Sequence, residues 1–239
     1  MGSGVVRIGM ALLLSVASCA VLAQDVASPS PPAQRVVGEG ITGSLLRHAQ
    51  FPSRHVAARN VDVWLPPGYD EAKDARYPVL YMHDGQNVFD PSLSYTRVDW
   101  GVDEAMTRLI GNGHVRPAII VAVWNTPRRL QEYMPRKAIQ GESFIPTPGD
   151  PPFPTAEIVA DDYLAFLATE LKPFIDAQYR TLKGPSDTFV MGSSMGGLIS
   201  AYAVMEFPQV FGGAGCVSTH WPIAGGIVED YVATHVPAP

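Results

Sequence analysis

The residues best suited to chemistry lie in Thr188-Phe189-Val190-Met191-Gly192-Ser193-Ser194-Met195-Gly196-Gly197, which contains Gly192-x-Ser194-x-Gly196. A serine hydroxyl is a weak nucleophile and works only where a base and a substrate carbonyl both reach it. A sharp turn off the end of a strand presents it that way, at the cost of a strained serine backbone. Small flanking residues avoid the clashes such a turn creates, and glycine serves at both sides. A helix starting at the turn aims its free N–H groups and its dipole at the oxyanion that forms in acyl transfer. This spacing therefore points to Ser194 as a nucleophile, with Ser193 turned away and the Met195 N–H as one oxyanion donor. A glycine-rich strand-to-helix turn without catalysis is the plainer alternative.

A second segment, His83-Asp84-Gly85-Gln86-Asn87, closes an apolar run. Gly85 permits close backbone approach, and the Gln86 N–H is the candidate second donor. His83 and Asp84 invite a catalytic role, but a pair at this position more often shapes the hole by hydrogen bonding. His83 is therefore placed among the pocket residues. Trp124, His220 and Trp221 follow other apolar runs and are expected on the pocket wall, as is Asn125. His220 is also an alternative base. Arg129, Glu132 and Tyr133 fit a pocket rim and a solvated loop equally well. No Gly-rich loop fits a nucleotide, and no His, Cys or carboxylate set has metal-ligand spacing, so neither cofactor nor metal is expected.

These residues need a scaffold. Arg59 to Leu65 alternates, with Val61, Val63 and Leu65 on one face, and stops at Pro66-Pro67-Gly68, which predicts a strand. Pro78 to Met82, Pro117 to Trp124, Asp187 to Met191 and Gly213 to Ser218 are short apolar runs, as in strands buried on both faces. Helical spacing appears over Gly101 to Ile110, Asp161 to Leu171, Ser194 to Glu206 and about Gly226 to His235. The alternation predicts an α/β domain over residues 40–239, a mostly parallel central sheet with helices on both faces. The proline-rich stretch Gln140 to Thr155 reads as a long surface loop near the site.

Tyr77-Pro78-Val79-Leu80-Tyr81-Met82-His83-Asp84-Gly85-Gln86-Asn87, the Gly192 to Gly197 elbow and Phe207-Pro208-x-x-Phe211 together resemble the Putative esterase family of α/β-hydrolases. That family takes in esterase D-like enzymes, enterochelin esterases, feruloyl esterase domains and mycolyltransferases. The resemblance implies cofactor-free hydrolysis of a small-molecule carboxylic ester through an acyl-enzyme on Ser194. An acyltransferase, or an inactive binding module of the same fold, would share these motifs. The triad order in this fold is Ser, then Asp or Glu, then His. The residues after Ser194 leave no apolar run for the two strands that usually carry the acid and the base. The expectation is an incomplete domain whose C-terminal strands are missing, with the histidine beyond residue 239. Asp230 and His235 are expected to be solvated.

The N-terminus reads as an export signal. Arg7 precedes an apolar run from Ile8 to Ala17, and Val21-Leu22-Ala23 fits cleavage before Gln24. The run is too short for a membrane span. Val16-Ala17-Ser18-Cys19 offers the alternative of a lipid anchor at Cys19. Residues 1–23 are thus expected to be a signal peptide and 24–39 a flexible linker, in a periplasmic or secreted protein. Cys216, in an apolar run, is expected to be buried. The formal net charge of -6, with 17% charged and 46% hydrophobic residues, supplies no basic surface for nucleic acid and enough apolar material for a core.

Overall fold

Residues 1–2, 32–38 and 40–235 are described in a computed structural model. The expected leader from residue 3 on, its cleavage site and the lipid-anchor alternative at Cys19 lie outside the described residues. The linker reading is corrected at one point: Gln34–Val36 is not free chain but strand β1, pairing antiparallel with β2 (Ser44–Phe51). β3 (Arg59–Leu65) pairs antiparallel with β2, then β4 (Val79–His83) leads through helix α1 (Val102–Gly111) to β5 (Ile119–Val123). Next come α2 (Arg129–Tyr133) and a small hairpin, β6 (Ser143–Phe144) with β7 (Phe153–Pro154). α3 (Ala160–Ala165) widens into a π-helical stretch, Phe166–Leu171, and re-forms as α4 (Lys172–Gln178). Pro173 sits in the first turn of α4 and cannot donate an intrahelical bond, which suits the change of pitch just before it. β8 (Thr188–Ser193), α5 (Met195–Glu206), β9 (Gly213–Val217) and α6 (Ile227–His235) complete the described chain.

The seven main strands run in the order β1-β2-β3-β5-β4-β8-β9. β5, β4, β8 and β9 are parallel neighbours, and β3 joins them antiparallel through β5. The site half of the sheet is therefore parallel as expected, while β1 to β3 form an antiparallel flank. β5 is buried at every residue, as its unbroken apolar run requires. Val61, Val63 and Leu65 pack into one core with α3, α4, α5 and α6. Trp64, Met82 and Ile120 point through the sheet to the other face, where Val102, Met106 and Ile110 of α1 cover them. Each fully buried aliphatic side chain contributes about 1.5–3 kcal/mol, so the two-faced core holds the parallel strands in register.

β9 is the outermost strand on its side among the described residues. Its burial is slight, and Cys216 is exposed rather than buried. An edge strand has one neighbour, here β8, so its apolar residues gain little cover. Among the described residues no helix is long and apolar enough to cross a membrane.

From β4 the chain steps to β5 on one side, then reaches β8 on the other. The loops after β4 and β8 thus diverge at a topological switch point, where a crevice opens at the strand ends.

Candidate active site

The turn after β8 has the predicted strain. Ser194 adopts φ 58°, ψ -118°, a conformation costly for any residue with a Cβ. The flanking glycines make it possible. A Cβ on Gly192 would stand 2.7 Å from the carbonyl carbon and oxygen of Gly196. A Cβ on Gly197 would meet Thr219 Oγ1 at 2.3 Å. The turn is pinned by the Ser194 N–H, which donates to Val217 O at 3.0 Å, and by the His220 N–H, which donates to Ser194 O at 3.3 Å. Ser194 itself stays partly exposed. Met195 opens α5, so its N–H has no intrahelical acceptor.

Across the crevice, β4 ends in a 3₁₀ turn, Gly85–Asn87. Asp84, just before it, is left-handed at φ 59°, ψ 44°. Gly85 lies so close to β5 that a Cβ would be 2.6 Å from the Ala122 carbonyl carbon. The Asn87 and Val88 N–H groups close the turn onto Asp84 O and Gly85 O. Gln86 stands inside the first turn, which leaves its N–H without an acceptor in the turn. The structure thus brings both candidate donors to facing ends of adjacent parallel strands.

A polar network ties the two turns together. The Asp84 carboxylate is buried and takes Arg129 Nε at Oδ1 and Arg129 Nη2 at Oδ2, each at 2.7 Å. Asn125 Nδ2 donates to Oδ1 at 2.6 Å. Asn125 and Gln86 are themselves joined twice: Gln86 Nε2 donates to Asn125 Oδ1 at 2.6 Å, and the Asn125 N–H donates to Gln86 Oε1 at 3.1 Å. Arg129 Nη2 also reaches Ser193 O at 3.4 Å. Asp84 therefore shapes the turn by hydrogen bonding, as expected. Arg129, partly exposed, is the ion-pair partner of Asp84. Glu132 and Tyr133 are buried, Glu132 in a bidentate pair with Arg59 at 2.7 and 2.9 Å.

Two pocket expectations are corrected. His83 has no exposed surface; its Nδ1 lies 2.9 Å from Tyr163 Oη, and the ring packs beside Tyr133 and Tyr163. β-strand alternation explains this, because His83 is the last residue of β4 and turns into the helix-covered core. Trp124 turns toward the antiparallel flank: its Nε1 donates to Asp62 Oδ2 at 2.9 Å and Arg47 stacks over its ring. Asp62, already paired with Arg47, supplies the acceptor. His220 and Trp221 are partly exposed beside the elbow, and the β6–β7 hairpin is tied to the same segment by the Ala224 N–H bond to Pro146 O. The proline-rich stretch is thus a short hairpin stapled by Phe144 and Phe153. None of the six histidines hydrogen-bonds to the Ser194 hydroxyl; all are among the described residues. His235 stacks on Tyr231 instead.

Comparison with known proteins agrees with the geometry. The sequence profile of the family described as Putative esterase matches residues 56–226. The uncharacterized protein YbbA of Bacillus subtilis (strain 168) is 24% identical over 172 residues, covering 71% of this chain and 60% of that protein. The structure resembles the siderophore hydrolase EstA from Aspergillus nidulans, with TM-score 0.56 and 20% identity over 85% of this chain and 61% of that one. It also resembles an IroE-like serine hydrolase from Shewanella oneidensis, with TM-score 0.56 and 23% identity over 85% of this chain and 56% of that one. These likenesses establish the α/β-hydrolase fold. The chain spans about three fifths of the length of these three relatives.

Burial holds the His83 pKa down to about 4, outweighing the attraction of Asp84. The unfolded chain takes up this proton near pH 6.5 and the folded chain does not, so stability is lost as pH falls from 6.5 toward 4. The loss reaches at most about 3 kcal/mol. In His83→Gln, which keeps a polar group toward Tyr163 but does not titrate, urea midpoints should change less over this window than in the parent. An equal slope in both would contradict the buried neutral histidine.

Proposed function

Because this chain belongs to the Putative esterase family, we propose that it is an exported serine hydrolase acting on carboxylic esters, with Ser194 as its nucleophile. The observation that carries the reading is the strained Ser194 at the tip of β8, where α5 begins and beside the strand whose end turn carries Gln86. In the proposed reaction Ser194 Oγ attacks the ester carbonyl carbon and its proton passes to a histidine base. The carbonyl oxygen becomes an oxyanion, held by the N–H groups of Met195 and Gln86. The tetrahedral intermediate collapses, the C–O bond to the alcohol breaks, and the alcohol leaves with the proton from the base. Water then attacks the acyl-enzyme by the same path and releases the acid. Within the chain His220, partly exposed beside the elbow, is the candidate base. General-base help is typically worth about 10²–10⁴-fold, so loss of the base should leave only a weak catalyst.

The support for a small-molecule ester as substrate is the family itself and the fold shared with a siderophore hydrolase. Export rests on Arg7, the apolar run after it and the small residue Ala23.

Two measurements test the proposal. In the gene's complete product a fluorophosphonate probe should label the protein, Ser194→Ala should abolish labelling and Ser193→Ala should not; labelling that survives Ser194→Ala refutes the nucleophile. Intact mass of the exported protein should place Gln24 first. A product starting at Cys19 with a diacylglyceryl mass would replace cleavage by the lipid anchor, and an uncleaved product would exclude both.

A further inference from the structure

The Asp84 carboxylate raises an electrostatic difficulty that the proposed reaction must solve. A Cβ on Gly196 would lie 3.3 Å from Asp84 Oδ2, so this buried anion sits against the second residue of α5. The neighbouring residue, Met195, supplies one proposed oxyanion donor. An uncompensated carboxylate there would repel the negative charge that develops on the substrate oxygen and cancel the helix dipole that favours it. Its side chain is 3% exposed, so water does little to screen it.

Arg129 answers this difficulty. It meets both oxygens of Asp84 in a two-bond fork, the geometry that neutralises a carboxylate most fully. Among the described residues it is the one cation paired with Asp84; Asn125 is a neutral donor. The same Nη2 leans on Ser193 O, one residue before the nucleophile. One guanidinium thus spans the turn after β4, which carries Gln86, and the turn after β8, which carries Ser194. It comes from α2, packed over the Tyr133 ring.

We propose that Arg129 is a positioning residue of the reaction, neutralising Asp84 beside the oxyanion site and fixing the separation of the two N–H donors. The inference rests on the serine-hydrolase reading. A purely structural ion pair would support stability alone. The positioning role makes a different demand, because the charge of Asp84 matters only once the transition state carries charge of its own.

The test uses the gene's complete product and a short-chain nitrophenyl ester, with kcat and KM separated. Arg129→Met should lower kcat by about 10- to 100-fold, a fraction of what losing an oxyanion donor costs, and leave KM within about threefold. Arg129→Lys, which keeps the charge but not the fork, should fall between. The pair Asp84→Asn with Arg129→Met should regain at least about fivefold in kcat over Arg129→Met, since the adverse charge is gone although the tie is still missing. The inference is overturned if Arg129→Met stays within twofold of the parent in kcat, or if the double variant recovers nothing at equal thermal stability. Should Arg129→Met not fold, Arg129→Lys carries the test, and an unchanged kcat there overturns it. Hydrolysis that persists in Ser194→Ala would instead refute the serine reading, a failure distinguishable from that of Arg129.

Discussion

The backbone of Ser194, forced to φ 58° and ψ -118°, is the constraint on which the site depends. Such a conformation costs on the order of 1–3 kcal/mol and survives only where the surroundings over-determine it. Here they do. β8 is hydrogen-bonded on both sides, by β4 and β9, and α5 is buried along its first nine residues, Met195 to Ala203. Gly192 and Gly196 are pressed backbone to backbone, so the turn has no room to relax. The strain lifts the serine hydroxyl off the strand end and points the start of α5 at the space in front of it.

The same logic governs the facing turn. Asp84 is left-handed, and Gly85 lies against the backbone of β5 with no space for a side chain. Two turns, each locked by a close backbone approach, meet where the strand order diverges. The polar network of Asp84, Asn125, Gln86 and Arg129 then joins them and sets fixed dipoles beside the nucleophile turn. Behind it, His83, Tyr133 and Tyr163 form a dry aromatic layer that keeps the network rigid.

The parts legible in the sequence were those set by local chemistry. A glycine-flanked serine between an apolar strand and an apolar helix has few other physical readings, and β4, β5 and β8 announce themselves as unbroken apolar runs. β2 was not legible: Ser44–Phe51 mixes Arg47, His48 and Gln50 with apolar residues and becomes a strand only through its pairing with β3. The fates of His83, Trp124 and Arg129 were hidden for a related reason. Each is decided by a partner far along the chain, Tyr163, Asp62 and Asp84 respectively, and spacing carries no information about such contacts. Cys216 misled because an apolar strand was equated with a buried one, whereas burial depends on how many neighbours the strand has. Arg129 could have been suspected from one signal: a buried strand end carrying Asp84 demands a cation, and candidates near the crevice were few.

The central group is the strained Ser194, whose Oγ supplies the electron pair that attacks the acyl carbonyl in the proposed reaction. The most direct test is to react the gene's complete product with an ester whose acyl-enzyme turns over slowly, quench in acid, and map the adduct by peptide mass. A mass increase equal to the acyl group, confined to the peptide that contains Ser194 and absent with Ser194→Ala, is the predicted result. Turnover with no acyl adduct on Ser194, or an adduct on another residue, would contradict it.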